Sequence, residues 1–250
     1  MQKEATSGYV LFNRRNHFRH YLTAVYICLY SISAGQTYTP VQQQYSIEPA
    51  GAAAIITVDD AVLGAYPIGF TFCFWGNKYT QFYIGTNGWV GFSAGQPIAF
   101  TPQPIPTTNA LIPKNCIMSP FHDMNAGVSG FPATPLTYIS YYTSGSYPFR
   151  RLVVSWTNVP MYQCTSIRST QQIVLFESTN IIQVNIAQKS TCLAWVSGKA
   201  ILGLHSIGGL NAVVVLGRNA TTWNITQPES WKFIPDSCMC KPIFGGLSVE

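Results

Sequence analysis

The stretch that most constrains this chain runs from Ile68 to Ser93, reading IGFTFCFWGNKYTQFYIGTNGWVGFS. It holds apolar, aromatic-rich runs joined by polar turns, and then an Asn87-Gly88 pair. Asn-Gly predicts a two-residue type I′ hairpin, because that turn requires positive φ at both central residues. The flanks alternate with the period of half-buried strands. Ile68, Phe70, Phe72 and Phe74 share one face, with Cys73 on the other. Phe82 with Ile84, and Val90 with Phe92, share faces on the two strands that follow. Consecutive hairpins with aromatic faces predict the centre of an antiparallel β-sandwich.

Downstream the pattern continues. The connection from Gln96 to Pro113 carries five prolines, which forbid a central strand. The segment 117–123 returns to the core and ends in a loop at 125–130. Further strands are expected at 136–142, 151–156, 170–176, 181–186, 200–205, 212–216 and 231–234, with a hairpin over 177–180. Short strands at this spacing, with turn residues between them, predict an all-β antiparallel sandwich or barrel. Only 9% of residues are charged and 47% are hydrophobic, so the chain has ample material for a core and is not disordered. The net charge of +5 is concentrated at the front, where Lys3, Arg14, Arg15 and Arg19 face only Glu4. Without residues 1–35 the balance is 10 − 8 = +2, too little basic surface for a nucleic-acid partner.

Residues 1–35 read as a signal peptide. A basic NRRNHFRH precedes the apolar run Tyr21 to Ile32, and Ser33 and Gly35 stand at −3 and −1 before Gln36. The run is shorter than the roughly 20 residues of a spanning helix, so no membrane span is expected after cleavage. Residues 36–59 read as a polar lead-in, 60–236 as the sandwich, and 237–250 as a linker or the start of a following domain. Export leaves Cys73, Cys116, Cys164, Cys192, Cys238 and Cys240, an even set that favours disulfides. The residues alone do not choose the pairing. Cys164 and Cys192 flank a hairpin whose open end a bridge would pin. Cys73 and Cys116 fall on segments that would neighbour each other, and Cys238 and Cys240 form either a local pair or bonds to later material. Zinc is disfavoured, with no CxxC and only His122 and His205 in the mature chain.

The Ile68–Ser93 stretch, then CIMSPFHDMNAGVSG, RRLVVSWTNVPMYQCTSIRSTQQIVLFESTNIIQVNIAQK, CLAWVSGKAILGLHS and VLGRNATTWNITQPESWKFIP, resembles one bacterial surface module. It is similar to the N-terminal sandwich domain of large exported Bacteroidota-type proteins, many of them associated with gliding motility, adhesion and type IX secretion. More distantly it resembles the NIDO domain of animal nidogen-like adhesive proteins. The resemblance covers roughly Asp60 to Pro235. It implies a disulfide-stapled sandwich of jelly-roll or NIDO-like type, extracellular or on the outer cell surface, with a non-catalytic adhesive or structural role. The implied partners are a cell-surface protein or glycan and the type IX secretion machinery, and the implied bridges are Cys73–Cys116 and Cys164–Cys192. Proteins of this type continue into PKD-like or Ig-like repeats and a sorting domain, so the chain is expected to be the front of a longer one.

No catalytic residues are assigned. The mature carboxylates, Glu48, Asp59, Asp60, Asp123, Glu177, Glu229, Asp236 and Glu250, make no obvious acid/base pair, and no GxSxG, HExxH or Walker loop occurs. A secreted hydrolase would need His122 or His205 joined to a carboxylate and a nucleophile. Asp123 and Asn125, in a glycine-rich loop, are candidate Ca²⁺ ligands, against the alternative that they cap their own turns. No other cofactor is expected. Tryptophans 75, 89, 156, 195, 223 and 231 read either as a glycan-stacking face or as core. Trp156 and Trp231 are assigned to the core and Trp75 to the surface, with Tyr141, Tyr142 and Tyr147 as a second contact surface. An exposed aromatic strip would make the chain a carbohydrate-binding module.

Overall fold

Period-two alternation closes two sheets over one core. The computed structural model of the chain describes residues 37–51, 58–128 and 138–236. Its strands are β1 (Tyr38–Gln43), β2 (Val62–Phe74), β3 (Asn77–Gly85), β4 (Trp89–Gly91), β5 (Cys116–Phe121), β6 (Tyr138–Ser144), β7 (Arg151–Met161), β8 (Cys164–Phe176), β9 (Ile182–Gln188), β10 (Lys199–His205), β11 (Ala212–Thr222) and β12 (Glu229–Pro235). They form two six-stranded antiparallel sheets, ordered β1-β12-β9-β8-β7-β6 and β11-β10-β5-β4-β3-β2. A short 3₁₀ turn at Val196–Gly198 is the sole helical element among the described residues. Residues 1–36 with the expected signal peptide, residues 52–57 and 129–137, and the 237–250 segment with Cys238 and Cys240 lie outside the described residues.

Ile68, Phe70, Phe72 and Phe74 of β2, with Phe82, Ile84 and Val90, face Leu152, Val154, Trp156, Ile173, Leu175 and Phe233 of the opposing sheet. Each such side chain, fully buried, contributes about 1.5–3 kcal/mol relative to exposure. The outer face of the second sheet is covered too. Trp89, Ile112, Met118, Phe121 and Ile201 form a second cluster with Ile105 of the proline-rich connection, which packs across that face instead of adding a strand.

The type I′ turn is not at Asn87-Gly88. It is at Trp75-Gly76, where φ is 49° and 76° between the paired Phe74 and Asn77. Asn87 has no positive φ. Thr86-Asn87-Gly88 is a three-residue connection between the paired Gly85 and Trp89, closed by Gly88 at φ 88°. The reason is tertiary: the Asn87 side chain is buried and bonded to three separate segments, described below.

Residues 37–51, read as a lead-in, contribute β1 and a segment that covers the outer face of the first sheet. Beneath it a row of polar residues crosses four strands in register: Ser155, Gln172, Asn185 and Ser230. Gln172 Nε2 donates to Ser155 Oγ at 2.9 Å, Asn185 Nδ2 to Gln172 Oε1 at 3.0 Å, and Ser230 Oγ to Asn185 Oδ1 at 2.6 Å. The backbone amides of Ser46 and Glu48 complete the row through Ser230 Oγ and Gln172 Oε1. These polar positions look solvent-facing in the sequence but are buried, and each hydrogen bond offsets the cost of that burial.

Cys164 and Cys192 are bridged, with Cα atoms 5.8 Å apart. Cys73 is disulfide-bonded as well, but not to Cys116, whose thiol is free and buried. The expected Cys73–Cys116 pair fails on strand order. β3 and β4 lie between β2 and β5, and three strand spacings of about 4.8 Å exceed the roughly 7 Å Cα limit of a disulfide. Burial pushes the Cys116 thiol pKa up, so it is an inert apolar group.

Candidate functional site

The antiparallel registers sort the loops into two ends. One end gathers the Trp75-Gly76 turn, the β6–β7 and β8–β9 turns and the β10–β11 loop. The other gathers residues 59–61, Thr86-Asn87-Gly88, the loop after β5, the β7–β8 turn and the segment 189–198. The polar chemistry concentrates at this second end.

Asn87 holds it together. Its Nδ2 donates to Asp60 Oδ1 at 2.7 Å and to the Ala99 carbonyl at 3.0 Å, while its Oδ1 accepts from the Met124 amide at 2.7 Å. Its own carbonyl accepts from the His122 amide at 3.1 Å. Thr86 does the same for the segment before β2, its Oγ1 accepting from the Ala61 amide at 2.9 Å. Gly88 must be glycine, since a Cβ there would sit 2.1 Å from the Pro120 carbonyl. Thus Asp60 and Asp123, far apart in sequence, are brought to one spot.

One carboxylate oxygen from each of Asp59, Asp60 and Asp123 lies within 4.8 Å of one from each of the others. Asp123 is only 5% exposed. Its Oδ2 accepts from Trp195 Nε1 at 2.6 Å, and its Oδ1 is closed off from solvent with no hydrogen bond. Asp59 Oδ1 is also closed off and unpartnered. Burial pushes the Asp123 pKa up to about 7; the Trp195 hydrogen bond opposes this, and the charges of Asp60 and Asp59 add to it. Burial, with Asp60 beside it, raises Asp59 as well. The other interior acids differ: Glu48, Glu177 and Glu229 each pair with an arginine, Arg151, Arg150 and Arg218.

Beside this cluster, a cleft of about 10 Å³ is lined by His122, Asp123, Tyr162, Trp195 and Lys199, enough for about one water. His122 is buried with Nε2 3.1 Å from Gln171 Oε1. Burial, and then the charge of Lys189, hold its pKa well below the usual imidazole value. Lys189, 1% exposed, donates to the Trp223 carbonyl and lies 4.6 Å from that ring's centre. Burial, reinforced by Arg218, pulls its pKa down to about 8. His205 has both nitrogens engaged by backbone, Nδ1 with Pro113 O at 2.7 Å and Nε2 with the Thr107 amide at 3.3 Å.

The remaining sequence candidates scatter. Asn125 spends its Oδ1 on the Gly127 amide at 2.8 Å, capping its own turn, so only Asp123 of that pair belongs to the acidic cluster. Trp75 is half-buried, stacked edge-on against Tyr38 at 5.4 Å, and does not stand free on the surface. Trp231 is half-buried beside Arg218, outside the deep core, whereas Trp89 and Trp156 are fully buried. None of the six tryptophans is exposed. Tyr141 packs on Tyr66 at 4.8 Å, and Tyr142 donates its hydroxyl to Pro49 O at 2.8 Å. Tyr147 alone of the named aromatics is exposed, at 79%, with Phe149 beside it at 78%. Both lie at the end opposite Asp123. Phe149 carries a sequence signal of its own, since an aromatic in a Gly/Ser/Pro-rich turn signals exposure.

Two antiparallel sheets, a disulfide across the open end of the β8–β9 hairpin and a polar loop cluster at one end define an all-β, disulfide-bonded sandwich module. Residues 29–236 match the family model described as NIDO related, and the chain belongs to the NIDO-related family, whose module is of a structural rather than an enzymatic type. Comparisons with curated proteins and with solved structures each gave no match.

Proposed function

We propose that this chain is an exported, non-catalytic adhesion or structural module at the outer cell surface, whose partner is a protein surface in preference to a glycan. The observation that carries the reading is the NIDO-related match spanning the whole sandwich, in a chain that bridges Cys164 to Cys192. Such a bridge belongs to an oxidising compartment. The preference for a protein partner rests on the tryptophans, the strongest sugar-stacking side chains, none of which is exposed. By the resemblance in sequence, the host is a Bacteroidota-type bacterium, and the module fronts a surface protein linked to gliding motility and type IX secretion. The signal peptide ends before Gln36.

Protease shaving of intact cells, followed by non-reducing peptide mass mapping, tests this. The expected result is surface-accessible protein beginning at Gln36 with Cys164 bridged to Cys192. Protein protected inside intact cells, with residues 1–35 retained and both cysteines as thiols, would sink the proposal. Undiminished surface display after loss of the type IX channel would remove that route alone.

A further inference from the structure

We propose that Asp59, Asp60 and Asp123 form a Ca²⁺ site that ties the segment before β2 to the loop after β5. Acidic residues gather on many surfaces without an ion, so the second observation matters. Asp123 is 5% exposed and turned toward the other two carboxylates, yet its Oδ1 has no hydrogen bond among the described residues. A buried carboxylate oxygen without a partner is costly, and a cation is the partner that three converging carboxylates accommodate best. Among the described residues no arginine or lysine is ion-paired with these three carboxylates, whereas Glu48, Glu177 and Glu229 are each paired with an arginine.

The donor set selects the ion. Ca²⁺ holds oxygens at about 2.4 Å, so two ligands across the ion stand up to about 4.8 Å apart, and one oxygen from each of these carboxylates lies within that distance of the others. All three donors are hard oxygens, with no thiolate or imidazole in the set, which disfavours zinc. Asp59 and Asp60 are half-buried, leaving room for water to complete the shell. Asn87 fixes Asp60 through its Oδ1, and Trp195 fixes Asp123 through its Oδ2, so two of the three ligands are oriented beforehand. The role is positional: the ion would lock together two loops of the second sheet, before β2 and after β5, at one end of the sandwich.

The test uses the full chain stripped with EGTA. Adding 10 mM CaCl₂ is expected to raise the melting temperature by about 5 °C, for an ion of submillimolar affinity, with a smaller effect from MgCl₂. Tb³⁺ bound at this site is expected to emit on tryptophan excitation through Trp195, and Ca²⁺ is expected to compete the emission away. Asp59→Asn separates the site from mere repulsion. It is expected to raise the melting temperature in EGTA and to abolish the calcium response; Asp60→Asn serves if that variant does not fold. No calcium response and no competed emission, with Asp59→Asn equally stabilising in both buffers, would overturn the proposal in favour of carboxylates sharing a proton. An equal response to Mg²⁺, or a calcium response that survives both substitutions, would overturn it as well.

Discussion

Asn87 makes the sharpest prediction. Replacing it by alanine removes a bond to a charged acceptor, Asp60 Oδ1, and one to the Ala99 carbonyl, and leaves the buried Met124 amide without an acceptor. A charge-assisted bond contributes about 1.5–3 kcal/mol, a neutral one about 1, and an orphaned donor costs about 1–3, so the total is at least about 3.5 kcal/mol. For a domain of this size that lowers the melting temperature by about 10 °C. Asn87→Asp separates the bonds from the charge. It keeps an acceptor for Met124 but sets a carboxylate against Asp60, with Asp59 and Asp123 alongside. The introduced group's folded pKa is raised, so its penalty is full at neutral pH and fades as pH falls toward its unfolded value of about 4. In urea unfolding followed by tryptophan fluorescence in EGTA, Asn87→Asp is expected to be less stable than Asn87→Ala at pH 8 and to recover relative to it at pH 5. Asn87→Ala within about 0.5 kcal/mol of the parent, or Asn87→Asp no worse than alanine at pH 8, would show that the three segments are held by something else.

Two further outcomes follow from the same end of the sandwich. Lys189 has a folded pKa of about 8, below the unfolded value of about 10.5, so the unfolded chain binds more protons in that window and stability rises with pH across it. The rise attributable to Lys189 is on the order of 3 kcal/mol, and the difference in unfolding free energy between the parent and Lys189→Met between pH 7.5 and 10 should shift by that order; an unchanged difference would refute it. Replacing Cys164 and Cys192 together by alanine releases a loop of sequence separation 28, costing about 3.5 kcal/mol by loop entropy, readable as a melting temperature lower by about 10 °C.

What the residues reveal unaided depends on how local the determining contact is. The shared face of Ile68, Phe70, Phe72 and Phe74 is a period-two fact, legible from the segment itself. The Cys164–Cys192 bridge was suggested because both cysteines flank one hairpin. Cys73 with Cys116 looked equally near, but only the strand order shows β3 and β4 between them. Asn87-Gly88 carries a strong local turn signal, yet Trp75-Gly76 takes the I′ conformation because Asn87 is recruited by three distant segments. The acidic cluster was illegible for the same reason. Asp59 and Asp60 meet Asp123 only once β2 and β5 are aligned in one sheet with β3 and β4 between them, and the aromatic candidates Trp75 and Tyr141 are claimed by neighbours that sequence spacing does not reveal.

The pairing of β1 with β12 has a mechanical consequence. Thr37 and Asp236 lie side by side, the Asp236 amide donating to Thr37 O at 3.2 Å and the Thr37 hydroxyl to Asp236 Oδ2 at 2.8 Å. Tension applied through these two points peels β1 from β12 rung by rung, so each rung bears the load alone. A sandwich strung in that way yields at low force along its own backbone, and is better suited to hang from a tether than to act as a link within one. The far end, where Asp59, Asp60 and Asp123 meet, would then be the part held out from the anchorage.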